Sequence, residues 1–241
     1  PTRSVLGWHG GKWKLAPWII SHFPQHRIYV EPFGGAASVL MRKPRSYAEV
    51  YNDLDDDAVN MFRVLRSERA GDLVEALRLT PFARAEFEAA YLPSDDAVER
   101  ARRLVVRSFM GRGSNSHNTA AKSGFRANSN RSGTTHARDW RNYPDQMRDI
   151  IERLRGVTIE HRDAAETMAF HDGPNTLHFV DPPYLPETRS KSARRADGRA
   201  HVYAHELTES DHADLLAFLR SLQGMVVLCG YPAETYDRAL E

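Results

Sequence analysis

Five short runs rich in β-branched, aromatic and aliphatic residues punctuate this 241-residue chain: Ile28 to Val30, Tyr47 to Tyr51, Val157 to His161, Thr176 to Val180 and Met225 to Cys229. Segments with helical spacing lie between them, and strands that alternate with helices mark a parallel sheet. An open α/β sheet binds its ligands at the carboxyl edge of the strands. The residues that leave each run are therefore the ones to read for function.

Thr176 to Val180 reads as a buried strand and delivers Asp181-Pro182-Pro183-Tyr184. Each proline lacks an N–H, so the ladder stops and backbone carbonyls are left to accept hydrogen bonds. These groups suit a planar aromatic amine: Asp181 and the Pro182 carbonyl accept its two N–H protons, and Tyr184 stacks on its ring. Taken alone, the tetrapeptide fits a proline turn with Asp181 capping a loop equally well.

The other strand ends add to this. Glu31-Pro32-Phe33-Gly34-Gly35-Ala36-Ala37-Ser38 follows the first run and leads into the helix-compatible Ser38 to Arg42. Glycines there let the backbone bend sharply and approach a ligand closely. The nicotinamide fingerprint G-x-G-x-x-G is missing. The run Tyr47 to Tyr51 delivers Asn52-Asp53, and an acid about 20 positions after the first loop is placed to bind ribose hydroxyls. Upstream, Trp8-His9-Gly10-Gly11-Lys12 lacks the glycine and the Ser or Thr of a phosphate loop, having Leu6 and Trp13 instead. What remains is an aromatic, a glycine pair and a cation, which fits the carboxylate end of a small zwitterion or a plain turn before a helix from Leu15.

In this order the blocks resemble the DNA adenine-N6 methyltransferases, in the alpha-ordered bacterial or phage group that carries its recognition domain between cofactor loop and catalytic motif. The resemblance implies a Rossmann-like S-adenosylmethionine-dependent sheet with an inserted, mainly helical recognition domain bearing a basic hairpin or loop. It implies that Trp8, the His9 backbone and Lys12 touch S-adenosylmethionine, that Glu31, Pro32, Phe33, Gly34 and Gly35 wrap its methionine end, and that Asp53 holds its ribose. Asp163 matches the family's loop acid near the cofactor adenine. Asp181, Pro182, Pro183 and Tyr184 are then the catalytic residues, Asp181 also lying against the cofactor. The expected domains are a discontinuous catalytic domain, 1–66 and 157–241, and a recognition domain, 67–156.

Composition agrees. With 41% apolar residues the chain can bury a full core. A formal net charge of +1 advertises no global polycation. The single cysteine, Cys229, excludes an internal disulfide and reads as a small core residue in a reducing compartment. No stretch is long enough to span a bilayer, and Lys12 and Lys14 interrupt any signal-like segment. A cytoplasmic, nucleoid-associated protein is expected, with a monomer favoured and the oligomeric state open.

Charge is concentrated locally. Gly111 to Arg141 reads as a Gly, Ser and Asn-rich loop or hairpin with Arg112, Lys122, Arg126, Arg131, Arg138 and Arg141 against the single acid Asp139. Such a segment can follow a phosphate backbone, with Asn115, Asn118, Asn128 and Asn130 suited to adenine edges, or be a flexible solvated loop; the DNA reading is favoured. A second basic run after the catalytic motif, Arg189, Lys191, Arg194, Arg195 and Arg199, reads as a loop closing over DNA or the target base, or as a plain surface loop. Before the first segment, Ser94 reads as the cap of a helix carrying Val98, Ala101, Val105 and Phe109, with an earlier helix from Arg84 to Tyr91. Thr208-Glu209-Ser210-Asp211 opens another, with Leu215, Leu216, Leu219 and Leu222 as its buried face and Gly224 as its stop. His201, His205 and His212 lack the surroundings of a metal site and read as surface or DNA-facing. The chain ends within an apparent helix, where relatives are expected to add a final pair of strands, so a chain that is trimmed, or that stops where order is lost, is expected.

The reading is a methyltransferase acting on adenine N6 in double-stranded DNA, of the restriction-modification or phage-protection kind, by base flipping and direct methyl transfer with no metal. The alternatives are an RNA adenine-N6 or DNA cytosine-N4 methyltransferase, or a non-catalytic DNA-binding module of the same fold. A nicotinamide oxidoreductase is a further rival, disfavoured by the missing fingerprint.

Overall fold

The structure, a computed structural model, describes residues 1–113, 123–128, 130, 133–185, 206–234 and 236. The chain divides into two compact units, one of Pro1–Pro17, Gly35–Lys43 and Asp56–Gly156, the other of Trp18–Gly34, Pro44–Asp55 and Val157–Glu241.

The second unit holds the sheet. Its strands are β1 (Ile28–Glu31), β2 (Ala48–Asn52), β3 (Val157–Glu160), β4 (Thr176–Val180) and β5 (Met225–Leu228), all parallel, in the order β3-β2-β1-β4-β5. Each expected run is a strand to within a residue. Tyr47, expected inside one, is 77% exposed and lies just outside β2. Cys229 lies just beyond β5, half-buried, although its N–H still donates to the Val180 carbonyl. β4 is buried at every position, as a strand covered on both faces must be, and β5 at the edge is half-buried throughout.

Connections run one way from β1 through β2 to β3 and the other way to β4 and β5, so the strand order reverses between β1 and β4. At such a switch point the loops leaving adjacent strands diverge and open a crevice. Register pairs Val30 with His178, which brings the exits of β1 and β4 alongside one another. Helix Ala164–His171 packs on this sheet through Ala164 and Met168, which meet Val180, Leu219 and the half-buried Phe33.

Helix Glu209–Leu219 begins as expected, with a full capping box between Thr208 and Asp211. It ends well before Gly224, which is not its stop. A Cβ on Gly224 would come within 3.0 Å of Asp172 Oδ1 and His178 Nε2, so glycine is required there for packing.

Those two side chains form a pair, with His178 buried and Asp172 half-buried. His178 Nε2 lies 3.3 Å from Asp172 Oδ1, and the Asp172 carboxylate accepts from the Gln223 and Gly224 N–H groups. Burial pushes the His178 imidazole below its ordinary value, against the attraction of Asp172. Burial raises the Asp172 carboxyl, but its N–H donors and His178 outweigh that and hold it low. In both cases the unfolded chain takes up the proton first as pH falls, so the stabilisation present at neutral pH is lost on acidification. For His178 the loss begins below about pH 6.5. Thermal midpoints should fall from about pH 7 to pH 5 and fall less in His178→Gln; an equally steep fall in the variant would place the sensitivity elsewhere.

The first unit is helical: Ser38–Arg42, Asp56–Leu65, Ala70–Leu79, Arg84–Ala89, Ala97–Met110, His136–Arg141 and Met147–Leu154. Asp56–Leu65 packs on Ala97–Met110, where buried Arg107 pairs with Asp57 at 2.8 Å and donates to the Ala90 carbonyl at 2.7 Å. The cap of Ala97–Met110 is Asp96, not Ser94: Asp96 Oδ1 accepts the Glu99 N–H, while Ser94 Oγ accepts from the Asp96 N–H. Val98, Ala101 and Val105 are buried as expected. Beyond this helix the chain does form a hairpin base, with Gly111 bridging antiparallel to Phe125. Its basic segment is not one continuous loop, because Arg138 and Arg141 stand on helix His136–Arg141. No helix among the described residues is long and apolar enough to cross a membrane.

Candidate active site

In the sheet-bearing unit the loops leaving β1 to β4 carry most of the expected residues. Glu31, the last residue of β1, is buried and accepts from the Tyr29 hydroxyl at 2.7 Å. Burial, reinforced by Glu31, pushes the Tyr29 phenol up, so it remains a donor. Pro32 and Gly34 are buried, and Phe33 is anchored on the hydrophobic cluster beneath. Gly34 is dictated by packing: its N–H donates to the Asn52 carbonyl at 2.8 Å, and a Cβ would stand 2.2 Å from the Tyr51 ring. The close approach expected of this glycine is thus to the protein's own second strand.

Asn52 is the residue whose role sequence reasoning missed. Fully buried at the end of β2, it donates to the carbonyls of Pro32 at 2.9 Å and Arg162 at 3.0 Å, and its Oδ1 accepts the Arg162 N–H at 2.9 Å. One amide therefore ties the loops after β1 and β3 to β2. Neighbouring Asp53 is half-buried and accepts the Asp55 N–H on Oδ1 at 2.8 Å, which fixes its carboxylate at the strand end. Asp163 follows β3 and is exposed. Its Oδ1 accepts from Ala165 and Glu166, capping helix Ala164–His171. That structural task explains an acid at 163 without a ligand.

At the exit of β4, Pro182 is buried while Asp181, Pro183 and Tyr184 are half-buried. The Tyr184 hydroxyl donates to Asp181 Oδ1 at 3.2 Å, and burial with Asp181 beside it pushes that phenol up, keeping it protonated. The Tyr184 ring meets Tyr231 edge-on at 5.2 Å, and Tyr231 is 54% exposed. Leu185 pins the end of the motif by packing on Leu216 and Tyr236. His212, expected on the surface or facing DNA, is instead wholly buried: its Nε2 lies 3.0 Å from the Pro183 carbonyl and its Nδ1 lies 2.9 Å from the Tyr236 hydroxyl. A helical reading would have found it, since 212, 216 and 219 share one face.

The N-terminal motif lies in the helical unit. The Gly7 N–H donates to Ser108 Oγ at 2.6 Å and the buried Tyr143 hydroxyl donates to the Val5 carbonyl, so two side chains seat the segment that precedes Trp8. Gly11 N–H closes a turn on the Trp8 carbonyl at 3.2 Å, and Lys12, 8% exposed, donates to the Gly10 carbonyl at 2.8 Å. Gly35 has φ of 47°, and a Cβ there would stand 2.5 Å from the Trp8 indole nitrogen, so both conformation and space exclude a side chain. His9 is half-buried in the same turn.

Of the expected DNA contacts, Arg112, Asn128 and Arg138 are exposed. Arg126 is half-buried and its Nε donates to the Gly111 carbonyl, so it braces the hairpin base. Asn115, Asn118, Lys122, Arg131, Arg189, Lys191, Arg194 and Arg195 lie outside the described residues, as do Arg199, His201 and His205.

A family model described as D12 class N6 adenine-specific DNA methyltransferase matches residues 8–228. The chain is 26% identical over 245 residues to a DNA adenine methylase of Vibrio cholerae, covering 99% of this chain and 84% of that one. It is 26% identical over 232 residues to a DNA adenine methylase of Serratia marcescens, covering 89% and 82%. Identity to a DNA adenine methylase of Salmonella typhi is 24% over 216 residues, covering 88% and 74%.

Proposed function

The chain belongs to the D12 class N6 adenine-specific DNA methyltransferase family, and from that premise we propose how its residues carry out S-adenosylmethionine-dependent methylation of adenine in DNA. The observation that supports the reading is that the ends of three adjacent strands, β2, β1 and β4, carry Asp53, Glu31 and Asp181, with β1 and β4 forming the switch point.

S-adenosylmethionine supplies a methyl group already activated by a positive sulfur. The residues present fit it: Asp53, whose Oδ1 accepts the Asp55 N–H, is an acceptor-only carboxylate at the end of β2, the chemistry that ribose hydroxyls need. Glu31 to Gly35, Trp8, the His9 backbone and Lys12 serve the methionine end. Asp163 serves the adenine end while capping its helix.

Adenine N6 is a weak nucleophile because its lone pair is delocalised into the ring. Accepting its two hydrogens, Asp181 and the Pro182 carbonyl draw N6 toward tetrahedral geometry and localise the pair for in-line attack. When bound, the cofactor would give up its methyl to N6 with the C–S electrons returning to sulfur, and the surplus N6 proton would leave along the hydrogen bond to Asp181. A paired adenine cannot reach these groups from within the stack, so the base is flipped and Tyr184 replaces its lost stacking partner.

Calorimetric titration of S-adenosylmethionine tests the cofactor assignment. Asp53→Ala should weaken binding about tenfold or more, the loss of a hydrogen bond to a charged group. Unchanged affinity would remove Asp53 from the site.

Residues 67–156 serve as the recognition domain, with its exposed arginines on phosphates and with Asn128 among its candidates for base edges. Replacing Arg112 and Arg138 by Ala should reduce the slope of log K against log salt by about one unit per lost phosphate contact. Arg126 is the wrong residue for this measurement, since its loss also unbraces the hairpin. A slope unchanged in the double variant would mean that these two arginines do not touch phosphate.

A further inference from the structure

We propose that His212 is a positioning residue for methyl transfer, locked by Tyr236 in the tautomer that holds the catalytic loop through the Pro183 carbonyl. This rests on the reading of Asp181 to Tyr184 as the catalytic segment.

With the imidazole neutral, the hydrogen-bond chain has one polarity. A carbonyl oxygen only accepts, so His212 Nε2 carries the hydrogen and donates to Pro183 at 3.0 Å. In the neutral ring Nδ1 is then the acceptor, and it takes the Tyr236 hydroxyl hydrogen at 2.9 Å. Every ring nitrogen is thereby assigned, and the imidazole is 0% exposed. The same side chains are packed as well as bonded, with Tyr236 edge-on to the His212 ring at 5.8 Å and touching Leu185 in a cluster with Leu216.

The position of this bond gives it its consequence. Two consecutive prolines strip the loop of backbone N–H donors, so the ladder that holds β4 cannot reach Tyr184 through Pro182 or Pro183. The carbonyl of Pro183 belongs to the peptide group that begins Tyr184, and fixing that oxygen fixes the plane from which the Tyr184 ring and hydroxyl project. The hydroxyl in turn donates to Asp181 Oδ1. His212 therefore sets the orientation of both the stacking ring and the acceptor carboxylate from behind the loop, without touching substrate. A rigid helix carries it: the capping box of Thr208 and Asp211 lies immediately before it, and the His212 N–H donates to the Thr208 carbonyl.

The test compares two amides. In His212→Gln the side-chain nitrogen reaches the place of Nε2 and can donate to Pro183. In His212→Asn it reaches only the place of Nδ1. Single-turnover methylation with saturating duplex and S-adenosylmethionine should fall about tenfold to a hundredfold in His212→Asn, the scale of a misplacement near one ångström, and should remain within about threefold of wild type in His212→Gln. The affinity for S-adenosylmethionine should be unchanged in both, and Tyr236→Phe should show a smaller loss in the same rate. Equal rates in the two amide variants, or losses that follow their melting temperatures, would overturn the proposal. Asp181→Ala measured alongside separates the underlying reading: a normal rate there removes the catalytic assignment itself, whereas an inactive Asp181→Ala with two normal His212 variants removes only the role of His212.

Discussion

Asp181→Ala is expected to reduce single-turnover methyl transfer by about a hundredfold to a thousandfold, the range for deleting one group that acts on charge developing in a transition state. The fold should survive. Asp181 follows the last residue of β4 and is half-buried, so its loss leaves the ladder with β1 and β5 and the packing of Val180 intact. Cofactor affinity should change far less than the rate, because the acceptor matters most as N6 loses planarity and its hydrogens become more acidic. Asp181→Asn sharpens the result. Its amide keeps size and one acceptor oxygen but loses the charge, so a rate between wild type and Asp181→Ala is expected. A near-normal rate in Asp181→Ala, measured with duplex and S-adenosylmethionine saturating, would defeat the mechanism.

The residues that were readable in the sequence share a physical property: their environment is local. A strand buried on both faces needs an apolar run, so β4 could be placed from Thr176 to Val180 alone, and Asp181 read off as the acid that follows it. Gly34 and Gly35 were readable as glycines but not as to cause. The obstacle to a side chain is the Tyr51 ring in one case and the Trp8 indole in the other, neither of which is near in sequence. What Asn52 and His212 bond was hidden for the same reason. Each makes its bonds to loops 20 to 110 positions away, and a polar residue in a helix or at a strand end has no periodic signature of what it bonds.

The cap at Asp96 illustrates a closer competition. Ser94, Asp95 and Asp96 are all competent caps, and what decides among them is where the backbone turns helical. Basic composition was equally ambiguous. It could not separate Arg126, which braces the hairpin through Gly111, from Arg112 and Arg138, which are exposed.

Tyr184→Ala is expected to act on a different step from Asp181→Ala. Losing a base-stacking aromatic costs about 1 to 3 kcal/mol, or roughly 5-fold to 150-fold in the stability of the flipped-base complex. Duplex carrying 2-aminopurine at the target position reports this directly, since its fluorescence rises when the base leaves the stack. The rise should shrink in Tyr184→Ala and persist in Asp181→Ala. Tyr184→Phe divides the residue's two tasks. The ring remains, so flipping should be preserved, while the hydroxyl that donates to Asp181 Oδ1 is lost. That bond holds the carboxylate in place, and its removal should lower the single-turnover rate by about tenfold or less, the worth of one neutral donor. Tyr231 meets the Tyr184 ring edge-on and supports it from the side, so Tyr231→Ala should resemble a weakened form of Tyr184→Ala, with less fluorescence and little change in cofactor affinity. Full fluorescence in Tyr184→Ala would mean that the flipped base stacks elsewhere, and the role assigned to this ring would fall while that of Asp181 stood.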